Sequence, residues 1–199
     1  MNMAKPRTRR EDRPSVILDA AESLIRRAGT RTLTIDAVAA EAGLSKGGVL
    51  HHFSSKEALI TAMAERKLKE VKEGIAKLEA EQVPGPSALP LALIAHARQV
   101  YAEEEGFPRA FLLASAENPE AFAGFNAFLS ERLAALEKIE TCPGIGAALV
   151  FSTLGLLISR TLGFHSMEGA QLERLFDGLE KVARCVTEGE IPPEACGTP

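Results

Sequence analysis

Residues 33–56 read LTIDAVAAEAGLSKGGVLHHFSSK, and no other stretch limits the fold as tightly. Ile35, Val38, Ala39 and Ala42 fall on one face at helical spacing, behind Thr34, a residue type that caps helix N-termini. Gly43 stops that segment, Leu44 follows, and Ser45 offers the cap of a third helix that runs to His52. Ser54 and Glu57 then stand in the capping-box relation ahead of a longer helix. Two short helices joined at a glycine, behind a longer supporting helix, make a helix-turn-helix. Ala39 provides the small residue where the two cross, Gly43 the turn, and Leu44 and Val49 the apolar contacts between them.

The rest of the chain is also read as helix, because no run of alternating β-branched residues argues for a sheet. The supporting helix starts near Asp12, tolerates Pro14 in its first turn, and presents Ile17, Ala20, Ala21, Leu24, Ile25 and Ala28 before Gly29 ends it. Ahead of it, residues 1–11 form a basic arm. The long helix after residue 56 is stopped by Pro84-Gly85-Pro86, and further helices are predicted over 87–104, 108–116, 119–140, 143–162 and 167–188. The expected fold is all-α: a three-helix helix-turn-helix domain over residues 1–55, followed by a larger helical domain over 56–199.

The charge is divided unevenly. Residues 1–56 hold ten Lys/Arg (Lys5, Arg7, Arg9, Arg10, Arg13, Arg26, Arg27, Arg31, Lys46, Lys56) against six Asp/Glu, while the remainder holds 13 against 21. A basic first part joined to an acidic remainder suggests that the first part meets a polyanion. Arg7, Arg9 and Arg10 fit equally a solvated tail or an arm on a phosphate or in a minor groove. Three widely spaced cysteines, Cys142, Cys185 and Cys196, read as reduced thiols in a cytoplasm. The basic N-terminus lacks the apolar stretch of a signal peptide. Residues 141–159 are uncharged and near the length of a membrane span, but Pro143, the glycines and the hydroxyls favour a helix buried at a subunit interface, with no membrane.

No catalytic constellation appears after residue 57: there is no Gly-x-Ser-x-Gly, no HExxH and no glycine-rich phosphate loop, and His96 and His165 stand apart. The chain is therefore read as no enzyme, with neither cofactor nor metal. His51 and His52 make a poor metal pair, since helical neighbours point about 100° apart and no further ligand lies close in sequence.

On these residues, the span from about Val16 to Leu68 resembles the DNA-binding domain of the TetR/AcrR family of bacterial transcriptional regulators. The stretch LTIDAVAAEAGLSKGGVLHHFSSKEAL is similar to the family pattern of Thr-hydrophobic, helix, Ala-Gly-hydrophobic-Ser, short helix, aromatic-x-His-Phe and Ser-Lys-Glu-x-Leu. The resemblance implies that Thr34 holds a phosphate at the start of the second helix. Ser45, Lys46, Gly47 and Gly48 would lead the recognition helix in the major groove, with Lys46 suited to a guanine O6 or N7. His51 and His52 would reach phosphate or the groove wall, Lys56 would meet a phosphate, and Phe53 would anchor the helix in the core. The family commonly has Tyr where this chain has Leu50, which packs inward or touches a thymine methyl instead. With two glycines beside Lys46, DNA shape is left to supply more of the specificity.

In the larger half, the resemblance implies an effector cavity, for which His96, Arg98, Tyr101, Phe111, Asn118, Phe125 and Asn126 are the candidate lining residues, and a dimer interface of the last two helices. Ala147, Phe151, Leu154, Gly155 and Ile158 of GIGAALVFSTLGLLISRTLGF, with Leu175, Leu179 and Val182, are the interface candidates. The functional expectation is a cytoplasmic homodimeric repressor that binds a pseudo-palindromic double-stranded DNA operator and is released by a small-molecule effector. The alternative is a helical carrier of lipid or another small molecule, or an enzyme, without a DNA role.

Overall fold

In the computed structural model, residues 13–29, 32–103, 112 and 118–188 are described, and among them all regular structure is helical. The basic arm, the cap expected at Asp12, the helix expected over 108–116 (Phe111 included) and the C-terminal tail fall outside the described residues. The chain divides into two compact units, residues 1–66 with 110–122 and residues 67–109 with 123–199, so the division falls inside a single helix.

In unit 1, α1 (Arg13–Ala28) buries Ile17, Leu18, Ala20, Ala21, Leu24 and Ile25, which is the expected stripe with Leu18 added and its last alanine left exposed. It packs against α2 (Ile35–Ala42), and α2 packs against α3 (Lys46–Leu50). The turn between α2 and α3 is fixed by Gly43 at φ 66°, a left-handed conformation that glycine adopts without steric cost. There the N–H of Gly43 reaches the Ala40 carbonyl at 3.2 Å and that of Leu44 the Ala39 carbonyl at 2.8 Å, closing α2 with a Schellman motif. Helix α3 ends at Leu50, two residues short of expectation. The N–H groups of His52 and Phe53 both fold back to the Val49 carbonyl, and this tightening delivers Phe53 into the core as expected of an anchor. The following cap is Ser55 rather than Ser54: its hydroxyl accepts the Ala58 N–H at 3.1 Å, and α4 (Lys56–Ala80) starts one residue later than the capping box implied.

Unit 2 holds the rest of α4, α5 (Ala88–Ala102), α6 (Ala123–Glu137), α7 (Ile145–Leu162) and α8 (Gly169–Glu188). Helix α5 is central, packing on α7 and α8, while α6 packs on α7. Leu91, Ile94, Ala97 and Tyr101 of α5 form one core with Leu149, Phe176, Leu179 and Ala183. Ile75 and Leu78 of α4 close on Ala92 with Phe128 alongside.

Residues 119–140 do not form one helix. Pro119–Phe122 is a 3₁₀ turn belonging to unit 1, with the Ala121 N–H on the Asn118 carbonyl at 3.0 Å, and α6 runs only from Ala123 to Glu137. Glu140 lies beyond the helix because its carboxylate serves the next one, accepting the N–H groups of Gly144 and Gly146 at 2.7 Å each. Cys142 is disulfide-bonded, whereas Cys185 is free. The expectation of three reduced thiols gives way at Cys142, since sequence spacing carries no information on the distance between two sulfurs.

Candidate nucleic-acid interface

Helices α2 and α3 each begin on a hydroxyl. Thr34 Oγ1 accepts the Ala37 N–H and Ser45 Oγ accepts the Gly48 N–H, both at 3.1 Å. A hydroxyl used in this way keeps its own hydrogen to donate. Both side chains therefore remain able to bond a phosphate oxygen, and at Thr34 the N-terminal end of α2 adds its partial positive charge.

The leading edge of α3 is open. A Cβ built on Gly47 meets nothing within 4 Å, whereas one on Gly48 comes within 3.3 Å of Ser45 Oγ and 3.8 Å of Leu44 Cβ. Leu50 points outward and is exposed, so it does not pack inward. His51 is exposed and His52 half-buried, their rings edge to face at 5.1 Å. Lys56 is half-buried at the head of α4. Among the described residues no three His, Cys, Asp or Glu side chains gather closely enough to hold a metal ion. Lys46 is exposed but engaged, its Nζ lying 2.9 Å from Asp36 Oδ2.

This surface is braced through α1. Arg27 bonds Glu41 of α2 at 2.9 Å with Ser23 also on that carboxylate, and Arg27 foremost holds the Glu41 carboxyl below its usual range. From α4, Arg66 reaches Asp19 at 2.6 Å and Glu22 at 2.7 Å. Burial works against the Arg66 charge, yet the two carboxylates outweigh it and hold the guanidinium above its ordinary range.

In unit 2 the effector candidates on α5 lie on two different faces. His96 turns to α4 and lies on Gly74: a Cβ there would be 2.8 Å from His96 Cε1 and 2.9 Å from Nδ1. Both ring nitrogens are buried and without a hydrogen-bond partner. Burial, then the nearby Lys67 charge, pushes the imidazole down from its ordinary 6.5, with Glu103 opposing. Arg98 and Tyr101 turn instead to α8 and its approach. Arg98 pairs with Glu173, with Asp177 at 3.4 Å and with Glu180 at 3.2 Å, and its guanidinium stacks on Phe176. The Tyr101 hydroxyl accepts the Met167 N–H at 2.7 Å and donates to the Met167 carbonyl at 3.0 Å, with Arg160 over its ring. Phe125 is half-buried and Asn126 exposed on α6, while Asn118 belongs to unit 1.

Of the interface candidates, Phe151, Gly155, Ile158 and Val182 are exposed, with Phe151 at 56% and Ile158 at 42%. Ala147 is half-buried, Leu154 and Leu175 pack on the core clusters, and Leu179 sits inside one. Helix α7 is long and apolar enough to cross a membrane, and only 22% of it is buried within this chain.

Asp36, Gly74 and the acidic row Glu173, Asp177 and Glu180 escaped the reading of the sequence. The acidic row had a signal, since its i, i+4, i+7 spacing runs beside the apolar stripe of α8. Asp36 had none, because an acid in a first turn reads simply as a partner of the helix dipole.

The model of bacterial regulatory proteins of the tetR family matches residues 17–63, and that of the tetracyclin repressor-like C-terminal domain matches residues 87–184. No curated protein matches the chain by sequence. Among solved structures, SCO4454, a TetR-family transcriptional regulator from Streptomyces coelicolor, is 22% identical with a TM-score of 0.70, over 89% of this chain and 97% of its own. A TetR transcription regulator from Haloarcula marismortui is 19% identical with a TM-score of 0.67, over 88% and 98%. The multidrug binding protein EbrR, solved in complex with imidazole, is 23% identical with a TM-score of 0.62, over 96% and 100%. The family models cover both units, the helix-turn-helix in the first and the helical second, and the chain belongs to the TetR family of DNA-binding bacterial transcriptional regulators.

Proposed function

We propose that this regulator is a cytoplasmic homodimeric repressor that holds a pseudo-palindromic operator and is released by a small-molecule effector. The observation that supports it best is α3. A five-residue helix has too few hydrogen bonds to stand alone, yet Val49 and Phe53 hold it in the core while Lys46, Gly47 and Leu50 lie bare on its outer side. Such an edge suits a major groove, with Thr34, Ser45, His51, His52 and Lys56 as the groove-wall and phosphate contacts and Lys46 on a base. The exposed apolar side chains of α7 suit a second copy of the chain, and two α3 helices related by a two-fold axis read two half-sites.

Release is assigned to α4, which belongs to both units. An effector that hydrogen-bonds the unpartnered His96 must displace or shift the Gly74 turn of α4, and α4 is tied to α1 through Arg66. An effector that binds the shifted form better lowers DNA affinity by that difference. The multidrug binding protein EbrR, solved with imidazole and with malachite green, supports a small-molecule role for this chain.

The test is selection of duplexes from a random pool at several salt concentrations. A two-fold symmetric enriched site is expected, with affinity that falls steeply with salt. Lys46→Ala is expected to weaken the enriched site by about 1–3 kcal/mol and to relax preference at one position of each half-site. Enrichment of no sequence, or an unchanged preference in Lys46→Ala, overturns the assignment.

A further inference from the structure

Lys46 is the long hydrogen-bond donor on the leading edge of α3, and its ammonium is already held by Asp36 of α2 at 2.9 Å. Both side chains are well exposed, at 59% and 68%. An exposed pair of this kind adds little to stability, so its effect lies in where it holds the ammonium and in the charge it offsets. Its place is what matters. Asp36 lies in the first turn of α2, two residues after Thr34, where the helix end would otherwise attract a phosphate. A DNA backbone approaching Thr34 therefore meets a carboxylate beside the hydroxyl. Lys46, for its part, leaves Asp36 only for an acceptor that lies within its own reach. Gly47 and Gly48 offer no side chain to share the work, so whatever governs Lys46 governs most of the direct reading by this edge.

We propose that Asp36 is a positioning residue that sets sequence discrimination: it restrains Lys46 from neutralising phosphates at any sequence and lowers the attraction of the α2 N-terminus for the backbone. This rests on the DNA-reading role of α3 proposed above. Non-specific binding is a matter of phosphate neutralisation and ion release, so a carboxylate at this point lowers it at every sequence. A base acceptor in line with Lys46 offsets the loss only at the right site.

The experiment compares wild-type, Asp36→Asn, Lys46→Ala and the double variant on two probes, a random-sequence duplex and the duplex that the wild-type enriches from a random pool, across a salt series. Circular dichroism confirms the helical fold of each. Asp36→Asn is expected to bind the random duplex about 3- to 10-fold tighter at low salt, with a salt slope steeper by about one ion, and to show a smaller ratio of enriched to random affinity. In the Lys46→Ala background, the change at Asp36 is expected to leave that ratio within about twofold. A pair that only stabilises the α2–α3 turn would move thermal stability and leave the ratio alone, and that result overturns the proposal. So does the same fall in the ratio with and without Lys46. A wild-type protein that binds neither probe at low salt removes the DNA-reading role itself, an outcome separate from the failure of Asp36 alone.

Discussion

Helix α3 in unit 1 and helix α7 in unit 2 are incomplete in opposite ways. Helix α3 is five residues long and shows glycine backbone, a lysine and a leucine; α7 is 18 residues long and shows phenylalanine and isoleucine. A glycine-edged helix is weak by itself but lets another backbone come close. An apolar face excludes water only when something covers it. On the proposed function, the contrast separates the means of reading DNA from the means of pairing two readers. In each case the helix is held by its buried side, Val49 in α3 and Leu149, Val150 and Thr153 in α7, which leaves the other side for a partner.

The largest expected effect breaks this contrast at α7. In Phe151→Glu a charge replaces an apolar side chain that is exposed in a single chain, so the fold of the protomer should change little. In a dimer through α7 that charge is buried without a partner, at a cost on the order of 3–5 kcal/mol, or more than about 100-fold in dimerisation. Sedimentation velocity should show dimer for the wild-type and monomer for the variant, with affinity for the two-fold DNA site lost in parallel. A variant that still sediments as a dimer places the interface elsewhere.

How far the sequence was legible follows the same division. In unit 1 the signals are local: Thr34, Ser45 and Gly43 act on groups within five residues, and they do in the fold what their residue types predict. Even there the choice between Ser54 and Ser55 was not visible, because either hydroxyl can cap, and only the folded chain shows that Ser55 takes the Ala58 N–H. In unit 2 the decisive contacts join residues distant in sequence. Arg98 meets acids at 173, 177 and 180, Tyr101 meets the backbone at 167, and His96 meets Gly74. Periodicity shows which residues face inward, but not which side chain on another helix each will find. Thus most helices were legible, although 119–140 proved to be two pieces and 108–116 lies outside the described residues. The DNA-binding candidates fell together in sequence, whereas the effector candidates divide between two faces of α5, α6 and unit 1, with Phe111 outside the described residues.

Two glycines sharpen the contrast next, with smaller effects of opposite sign. Gly74→Ala places a Cβ within 2.9 Å of the His96 ring. Ring and helix must then separate, and such overpacking costs about 1–3 kcal/mol. Thermal unfolding should show the loss, and adding His96→Ala should recover part of it, since the two changes share one contact. Full additivity would mean that the two groups do not press on each other. Gly47→Ala meets open space and should stabilise α3 by about 0.4–1 kcal/mol, chiefly by restricting the unfolded chain. If that edge lies against DNA, the added methyl weakens binding while the melting temperature rises. Stability and affinity rising together would show that the edge of α3 stands clear of the duplex.

The smallest effect concerns pH and belongs to unit 2 alone. Burial and Lys67 depress the His96 imidazole from 6.5, so the folded protein takes up this proton less readily than the unfolded chain. As the pH falls below 6.5 the unfolded state gains a proton that the native state resists, and stability falls until the depressed native value is passed. Above 6.5 both states are neutral at this position and the term vanishes. His96→Leu should therefore flatten the acid limb of stability between pH 6.5 and the lower native value, leaving the neutral region unaffected by this linkage. Chemical denaturation at a series of pH values measures it, with the wild-type and the variant differing in slope rather than in offset. Equal slopes would mean that the imidazole opens to solvent and takes its proton freely. An effector able to bond one ring nitrogen would then have no buried acceptor or donor to claim, and the coupling of His96 to α4 would have to be sought elsewhere on the Gly74 face.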